Sequence, residues 1–294
     1  MNLLQAIILG IVQGLTEFIP ISSTAHLVFA SRWTGIYAGN PQQITATIAV
    51  IQLGTLAAVI IYFASDIWNI ATSFLRDHWN LILRKGDIHS SGADVGRPKW
   101  LSRDAWLGWL IILGSIPIGV VGLVFKDVIE GEATKNLWVI ATMLIVVALF
   151  LLLAERVGSH RKQMKDLGLF DAIMVGFFQV LALIPGASRS GSTIMGGIFA
   201  GETRETAARF SFLLSIPAIA ASGLLELREA VHILPSESFV PLMVGTIVAG
   251  IVGYLSIWAL LAFLRRNSMM VFIVYRLVLG SLILTLLWRG VISP

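Results

Sequence analysis

Two short stretches hold nearly all the reactive chemistry of this 294-residue chain. Residues 13–27 read QGLTEFIPISSTAHL, and residues 185–193 read PGASRSGST. The shorter stretch has the makings of an anion site. Arg189 stands between Ser188 and Ser190, with Ser192 and Thr193 just beyond, and its guanidinium offers five donors in a fork that suits phosphate oxygens. Gly186 and Gly191 let backbone come close to a ligand, and a helix starting after Pro185 adds free N–H groups and a favourable dipole. The competing reading of Arg189 is a structural ion pair with Glu17 or Glu202.

The longer stretch supplies what an anion cradle lacks. Pro20 breaks the helix, Ser22, Ser23 and Thr24 follow, and His26 falls in the first turns of the next helix. Ser22 and Thr24 are equally well explained as helix caps. His26 is the one histidine of five outside a polar loop or its edge; beside a hydroxyl and a phosphate site it suits a nucleophile or a general acid–base. Glu17 is the most diagnostic residue. A carboxylate repels a bound phosphate unless a divalent cation bridges the two or the carboxyl takes a proton during reaction. Gln13, one helical turn earlier on the same face, can offer an amide oxygen to a metal or a hydrogen bond to substrate, but no charge. Carboxylate, imidazole, hydroxyl and arginine together suit phosphoryl transfer, where positioning and charge stabilisation dominate.

The surroundings of these stretches are membrane. Hydrophobic residues make up 56% of the chain and charged residues 13%, against roughly 25% charged in a soluble domain. Six segments are long and apolar enough to span as helices: about 43–64, 107–125, 137–154, 206–225, 240–264 and 271–288. The expected fold is therefore an all-α polytopic membrane bundle forming one integral membrane domain over 1–294. No cysteine is present, which excludes disulfides, thiol nucleophiles and cysteine-ligated metals. A cleavable signal is not expected, because the first fifteen residues lack a basic region. The pI near 9.6 comes from loops between spans rather than from a nucleic-acid surface, so no nucleic-acid partner is expected.

Loop charge orients the spans. Basic residues crowd the 76–103 and 155–166 loops and the turn at Arg265 and Arg266, whereas 126–136 is slightly acidic and 226–238 has one arginine. Positive loops stay in the cytoplasm. On that assignment segment 169–200 enters and leaves from the cytoplasmic side as a re-entrant hairpin, and segment 2–30 dips in from the opposite face. The two hairpins also match in sequence. Ala6, Ile7, Gly10, Gln13 and Leu15 align with Ala172, Ile173, Gly176, Gln179 and Leu181; after a one-residue gap, Ile19, Pro20 and Ser23 align with Ile184, Pro185 and Ser188. The expected architecture is an inverted-topology repeat, about 1–155 and about 167–290, each half one hairpin plus three spans. Such repeats place a site near the midplane where broken helices meet, so the two polar stretches should face each other.

These residues carry a resemblance. QGLTEFIPISSTAHL and PGASRSGST resemble the two signature motifs of the bacterial undecaprenyl-diphosphatase family, the bacitracin-resistance phosphatases, and the likeness extends along the chain through AVIQLGTLAAVI. The resemblance implies hydrolysis of undecaprenyl diphosphate to the monophosphate, which recycles the lipid carrier for peptidoglycan and other envelope polymers. It also implies a divalent cation, Mg2+ or Ca2+, and a multi-pass protein of the bacterial inner membrane with its site toward the periplasm. Its partners are then a polyprenyl diphosphate lipid and the bilayer, and a homodimer is compatible with it. By position, Glu17 matches the second acidic residue of the first motif, ahead of Ser22, Ser23, Thr24 and His26. Ser188, Arg189, Ser190 and Thr193 match the second motif. Gln13 departs from the many relatives that have Glu, which leaves Glu17 as the sole charged candidate ligand there, with Gln13 beside it. Ala25 stands where a relative may carry Gly.

On this reading Arg189, Gly186 and the neighbouring backbone hold phosphate. Ser23 or His26 attacks phosphorus, or His26 activates water, and Glu17 binds the cation or steers a proton. The rival is a transporter or flippase for an anionic polyprenyl phosphate lipid, since crossed hairpins also suit transport. Glu202, Arg204 and Glu205 read as a solvated turn, Arg209 as a snorkelling residue, and Arg276 as either snorkelling or reaching the second hairpin.

Overall fold

Helix, most of it apolar, accounts for the greater part of the described residues. The computed structural model describes residues 1–83, 97–125 and 136–293. Among them the α-helices are α1 (Leu3–Thr16), α2 (Ser23–Thr34), α3 (Pro41–Tyr62), α4 (Ala64–Ile82), α5 (Arg103–Val124), α6 (Leu137–Val157), α7 (Leu169–Val180), α8 (Arg189–Phe199), α9 (Arg204–Ile233), α10 (Phe239–Leu264) and α11 (Met270–Trp288). Six of them, α3, α5, α6, α9, α10 and α11, are long and apolar enough to cross a membrane. Their limits fall close to the sequence expectation except that α9 runs on to Ile233. Pro117 and Pro217 lie inside α5 and α9 without ending them. Pro20 and Pro185, by contrast, sit in non-helical turns between paired short helices, α1–α2 and α7–α8.

Ion pairs tie several helix ends together. Arg209 bonds Asp66 at 3.2 Å, Arg204 bonds Glu155 at 2.7 Å, Arg265 bonds Glu205 at 2.9 Å, and Lys162 bonds Asp171 at 2.6 Å. The start of α7, the end of α6 and the start of α9 therefore share one end of the bundle with the α10–α11 turn. The end of α8 joins them, since Gly158 packs against the Ile198 carbonyl. At the other end the N-terminal amine reaches Ser238 Oγ at 3.4 Å, and the Gln5 amide donates to the Thr34 carbonyl at 2.9 Å. Both open ends of the α1–α2 pair thus lie with the α9–α10 connection.

Three expectations about charged segments are corrected. The region from residue 76 is not loop at its start, because α4 continues to Ile82 as an amphipathic helix. Its apolar side, with Trp68, Leu75, Trp79 and Ile82, is exposed, while Asp77 is buried and accepts the Ser102 N–H at 2.6 Å. Arg84 and Lys85, and residues 126–135 of the acidic loop, lie outside the described residues. Arg209 does not simply snorkel: it pairs with Asp66 and lies over the Phe63 ring. The third correction is Glu202, which is 0% exposed rather than solvated, while Arg204 and Glu205 beside it are ion-paired.

Glu202 occupies the turn between α8 and α9, outside the six spans, and neither carboxyl oxygen has a hydrogen-bond partner. Burial, reinforced by Asp171 and only partly offset by Lys162, pushes its pKa up from 4.5 to about 8. The folded state therefore holds a proton that the unfolded chain releases. Stability from this group is complete below the unfolded value and is lost as pH rises toward about 8. The melting temperature in detergent is expected to fall by roughly 5 °C or more between about pH 6 and pH 9. In Glu202→Gln that fall should shrink, and an unchanged pH slope would remove Glu202 as its source.

Candidate functional site

Both polar turns are built alike. α1 stops at Thr16, whose hydroxyl turns back to the Val12 carbonyl at 2.7 Å, and Pro20 has no N–H to continue a helix. The chain restarts at Ser22, which has φ 76° and caps α2 by accepting the Ala25 N–H. Ser188 has φ 70° and caps α8 by accepting the Gly191 N–H at 3.2 Å. Both serines hold a conformation unusual for a residue with a side chain. The geometric counterpart of Ser188 is thus Ser22, one residue away from the Ser23 of the sequence match. In each new helix the first-turn N–H groups have no acceptor within the helix.

The two turns touch. Arg189 Nη2 donates to Glu17 Oε1 in a buried ion pair, and Ser190 Oγ donates to the Ile19 carbonyl at 3.3 Å. The ion pair that the sequence offered as the structural alternative for Arg189 is therefore formed. It also joins the two motifs at one place. Glu17 receives further donors from Gln52 Nε2 at 3.0 Å on Oε1 and from Gln13 Nε2 at 2.9 Å on Oε2. Gln13 Nε2 is also 3.5 Å from Thr55 Oγ1. Gln52 and Thr55 were missed from sequence, although two polar residues three apart in the apolar α3 were the available signal.

The remaining candidates divide. Ser23 is half-buried and its hydroxyl has no hydrogen-bond partner among the described residues, whereas Thr24 is exposed. His26 is held from both sides: Nδ1 lies 2.7 Å from the Ser22 carbonyl and Nε2 lies 2.6 Å from the Tyr275 hydroxyl. A carbonyl can only accept, so Nδ1 carries the proton and Nε2 is the acceptor. Nothing near Tyr275 in the sequence pointed to His26. Ser188 and Ser190 lie 3.1 Å apart, hydroxyl to hydroxyl. Thr193 does not present a free hydroxyl, since it bonds the Arg189 carbonyl at 2.8 Å and also Ser211. Gly186 has φ 93°, and a Cβ there would lie 2.4 Å from the Ile140 carbonyl. Its lack of a side chain is thus required by packing on α6, not only by a ligand.

Arg276 reaches the second hairpin and more. It is 0% exposed and donates to the carbonyls of Gly186 and Ala187 at 3.0 Å, Pro20 and Met143 at 3.3 Å, and Leu144 at 3.2 Å. One side chain on α11 thereby fixes both polar turns against α6.

A cation would find few ligands supplied by the chain. Among the described residues no group of three His, Asp or Glu side chains could hold a metal. Gln13 Oε1, however, is buried beside Glu17 with no partner. Together with the Glu17 carboxylate it suits a hard ion whose other oxygens come from substrate phosphate, the manner in which Mg2+ is often bound.

Comparison with known proteins shows what the whole chain is similar to. The family model described as "Bacitracin resistance protein BacA" matches residues 6–282. The undecaprenyl-diphosphatase of Syntrophobacter fumaroxidans is 52% identical over 290 residues, covering 98% of this chain and 99% of its own length. That of Myxococcus xanthus is 45% identical, covering 100% of this chain and 92% of its own, and that of Nocardia farcinica is 43% identical, covering 100% and 98%.

Proposed function

The chain belongs to the bacitracin resistance protein BacA family, and from that premise we infer that it hydrolyses undecaprenyl diphosphate to undecaprenyl phosphate and inorganic phosphate, returning the lipid carrier to envelope synthesis. It is a multi-pass membrane phosphatase. The observation that carries the chemistry is the joining of Glu17 and Arg189 across two separate turns.

In our reading the α1–α2 and α7–α8 pairs are re-entrant hairpins of an inverted repeat. The support is that the ends of each pair meet the same end of the bundle, and that the two pairs open at opposite ends. Lysines and arginines at 97–103, 156–165 and 265–266 gather at the end where α7–α8 opens. That end is cytoplasmic under the positive-inside bias, which turns the α1–α2 side of the inner-membrane site toward the periplasm.

Arg189 then exchanges Glu17 for the phosphate oxygens of the incoming diphosphate, a partner its planar fork fits well. Ser23 is the nucleophile of this reading, because its hydroxyl is unpartnered and it shares a helix face with His26. Its Oγ bonds to the terminal phosphorus as the bridging P–O bond breaks, and undecaprenyl phosphate leaves with that electron pair. Once the Tyr275 hydroxyl gives up its bond to His26 Nε2, that nitrogen takes the Ser23 proton. Water then cleaves the serine phosphoester and inorganic phosphate departs. Glu17 and Gln13 would hold a divalent cation, which when bound neutralises phosphate charge.

The test is phosphate release from undecaprenyl diphosphate by the purified chain in detergent. Release should stop on chelation and return with Mg2+ or Ca2+, and Glu17→Gln should lower kcat about 100-fold. A well-folded chain that releases none would favour a carrier for the lipid. Release insensitive to chelator would dispose of the cation.

A further inference from the structure

Between α3 and α10 the bundle leaves a cavity of about 470 Å3 that no polar residue of the site occupies. Its walls include Leu53, Ala57 and Ile61 of α3 and Ile247, Ile251 and Leu255 of α10. Two hydroxyl residues, Thr246 and Tyr254, stand among its walls, and Thr246 already bonds the Leu242 carbonyl at 2.9 Å; the exposed lining is almost entirely apolar, so the slot has little to offer a polar ligand. Packing cannot close it. Gly54 brings α3 so near α10 that a Cβ there would lie 2.0 Å from the Thr246 carbonyl, and this backbone contact fixes the spacing of the two helices.

The slot borders the site. Leu53 and Gly54 lie between Gln52, which donates to Glu17, and Thr55, which is within hydrogen-bond reach of Gln13. Behind it, the Cβ position of Gly253 lies 3.4 Å from Ala58 of the slot wall, 3.3 Å from Thr55 and 3.4 Å from Phe18, the residue after Glu17. One thin layer of side chains therefore separates the slot from the carboxylate. From Leu53 to Ile61 the slot follows α3 for about 12 Å.

We propose that this slot binds the isoprenoid chain of the diphosphate substrate. The inference rests on the functional reading above, which supplies a ligand with a charged head and a long branched hydrocarbon tail. The head docks at Arg189 and the tail turns along α3 into the slot. There its methyl branches meet the small side of the groove at Gly54, Ala57 and Gly250. A slot of almost wholly apolar surface adds affinity equally to the bound and reacting states, so it acts on KM rather than kcat.

The experiment compares Ala57→Trp, which fills the slot from its open side, with Leu123→Trp, which places the same side chain on the exposed face of α5. Each is assayed with undecaprenyl, farnesyl and isopentenyl diphosphates. Ala57→Trp should raise KM for undecaprenyl diphosphate about tenfold, with kcat kept and isopentenyl diphosphate unaffected. Leu123→Trp should change none of these. A photoreactive diazirine on the chain of a farnesyl diphosphate analogue should label wild-type peptides spanning 53–61 or 246–255, a readout that does not depend on how well the variant folds. Equal KM values in the two variants, or labelling elsewhere, would overturn the proposal. A KM unchanged while Ala57→Trp alters the oligomeric state would give the slot to a second copy of the chain. If wild type releases phosphate from no diphosphate, the functional reading fails, and this inference with it.

Discussion

Arg189→Ala is expected to lower phosphate release from undecaprenyl diphosphate by about 100- to 1,000-fold, the scale seen when one preorganised donor to a reacting oxygen is lost. Arg189→Lys should recover only part of this, since an ammonium is a point charge without the paired donors of a guanidinium. The alanine variant should also be less stable, because it strands Glu17 in a buried place with only two amide donors. Removing one member of a buried pair costs about 3–5 kcal/mol. The combination Arg189→Ala with Glu17→Gln separates the two effects. It should restore much of the melting temperature and none of the turnover. Recovery of activity together with stability would mean that Arg189 serves folding alone.

Arg276→Met should be the most damaging change away from the reacting groups. It deletes donors to five backbone carbonyls in three segments; those of Met143 and Leu144 keep their helix bonds, but those of Pro20, Gly186 and Ala187 lie in turns, and buried acceptors left unpaired cost about 1–3 kcal/mol each. The Pro20 and Gly186 turns would lose their common anchor. Displacements near 1 Å at a catalytic centre cost roughly 100-fold in rate. The expected result is a lower melting temperature together with a fall in kcat of about that size, and partial rescue of both by Arg276→Lys. A variant with a lowered melting temperature but wild-type kcat would confine Arg276 to folding.

The membrane spans were legible because a helix that crosses lipid needs a long apolar run, and that requirement is written locally. The two breaks were legible for the converse reason: Pro20 and Pro185 stand among polar residues inside apolar sequence. The ion pair of Glu17 with Arg189 followed once both breaks were assigned to one place, although it entered as the structural alternative to an anion clamp. What escaped was set by partners remote in sequence. The hydrogen bond from Tyr275 to His26 and that from Arg276 to Pro20 join residues about 250 positions apart. Glu202 has the sequence of an ordinary charged turn, and only the packing of Gly197 against its carboxyl reveals the burial. α4 escaped because an amphipathic helix is too polar to read as a span.

The tie between Glu17 and Arg189 has a consequence for the end of the reaction cycle. Inorganic phosphate must compete for Arg189 with a carboxylate attached to the same chain, present at a fixed high effective concentration. That tethered competitor limits how tightly any small anion can stay. A long-tailed substrate can displace it by adding hydrocarbon contact, whereas the product phosphate, once cut from its tail, has only its charge. On the proposed reading, severing the anhydride removes the extra hold at the moment it is no longer wanted, and phosphate would be discharged as Glu17 closes back on Arg189.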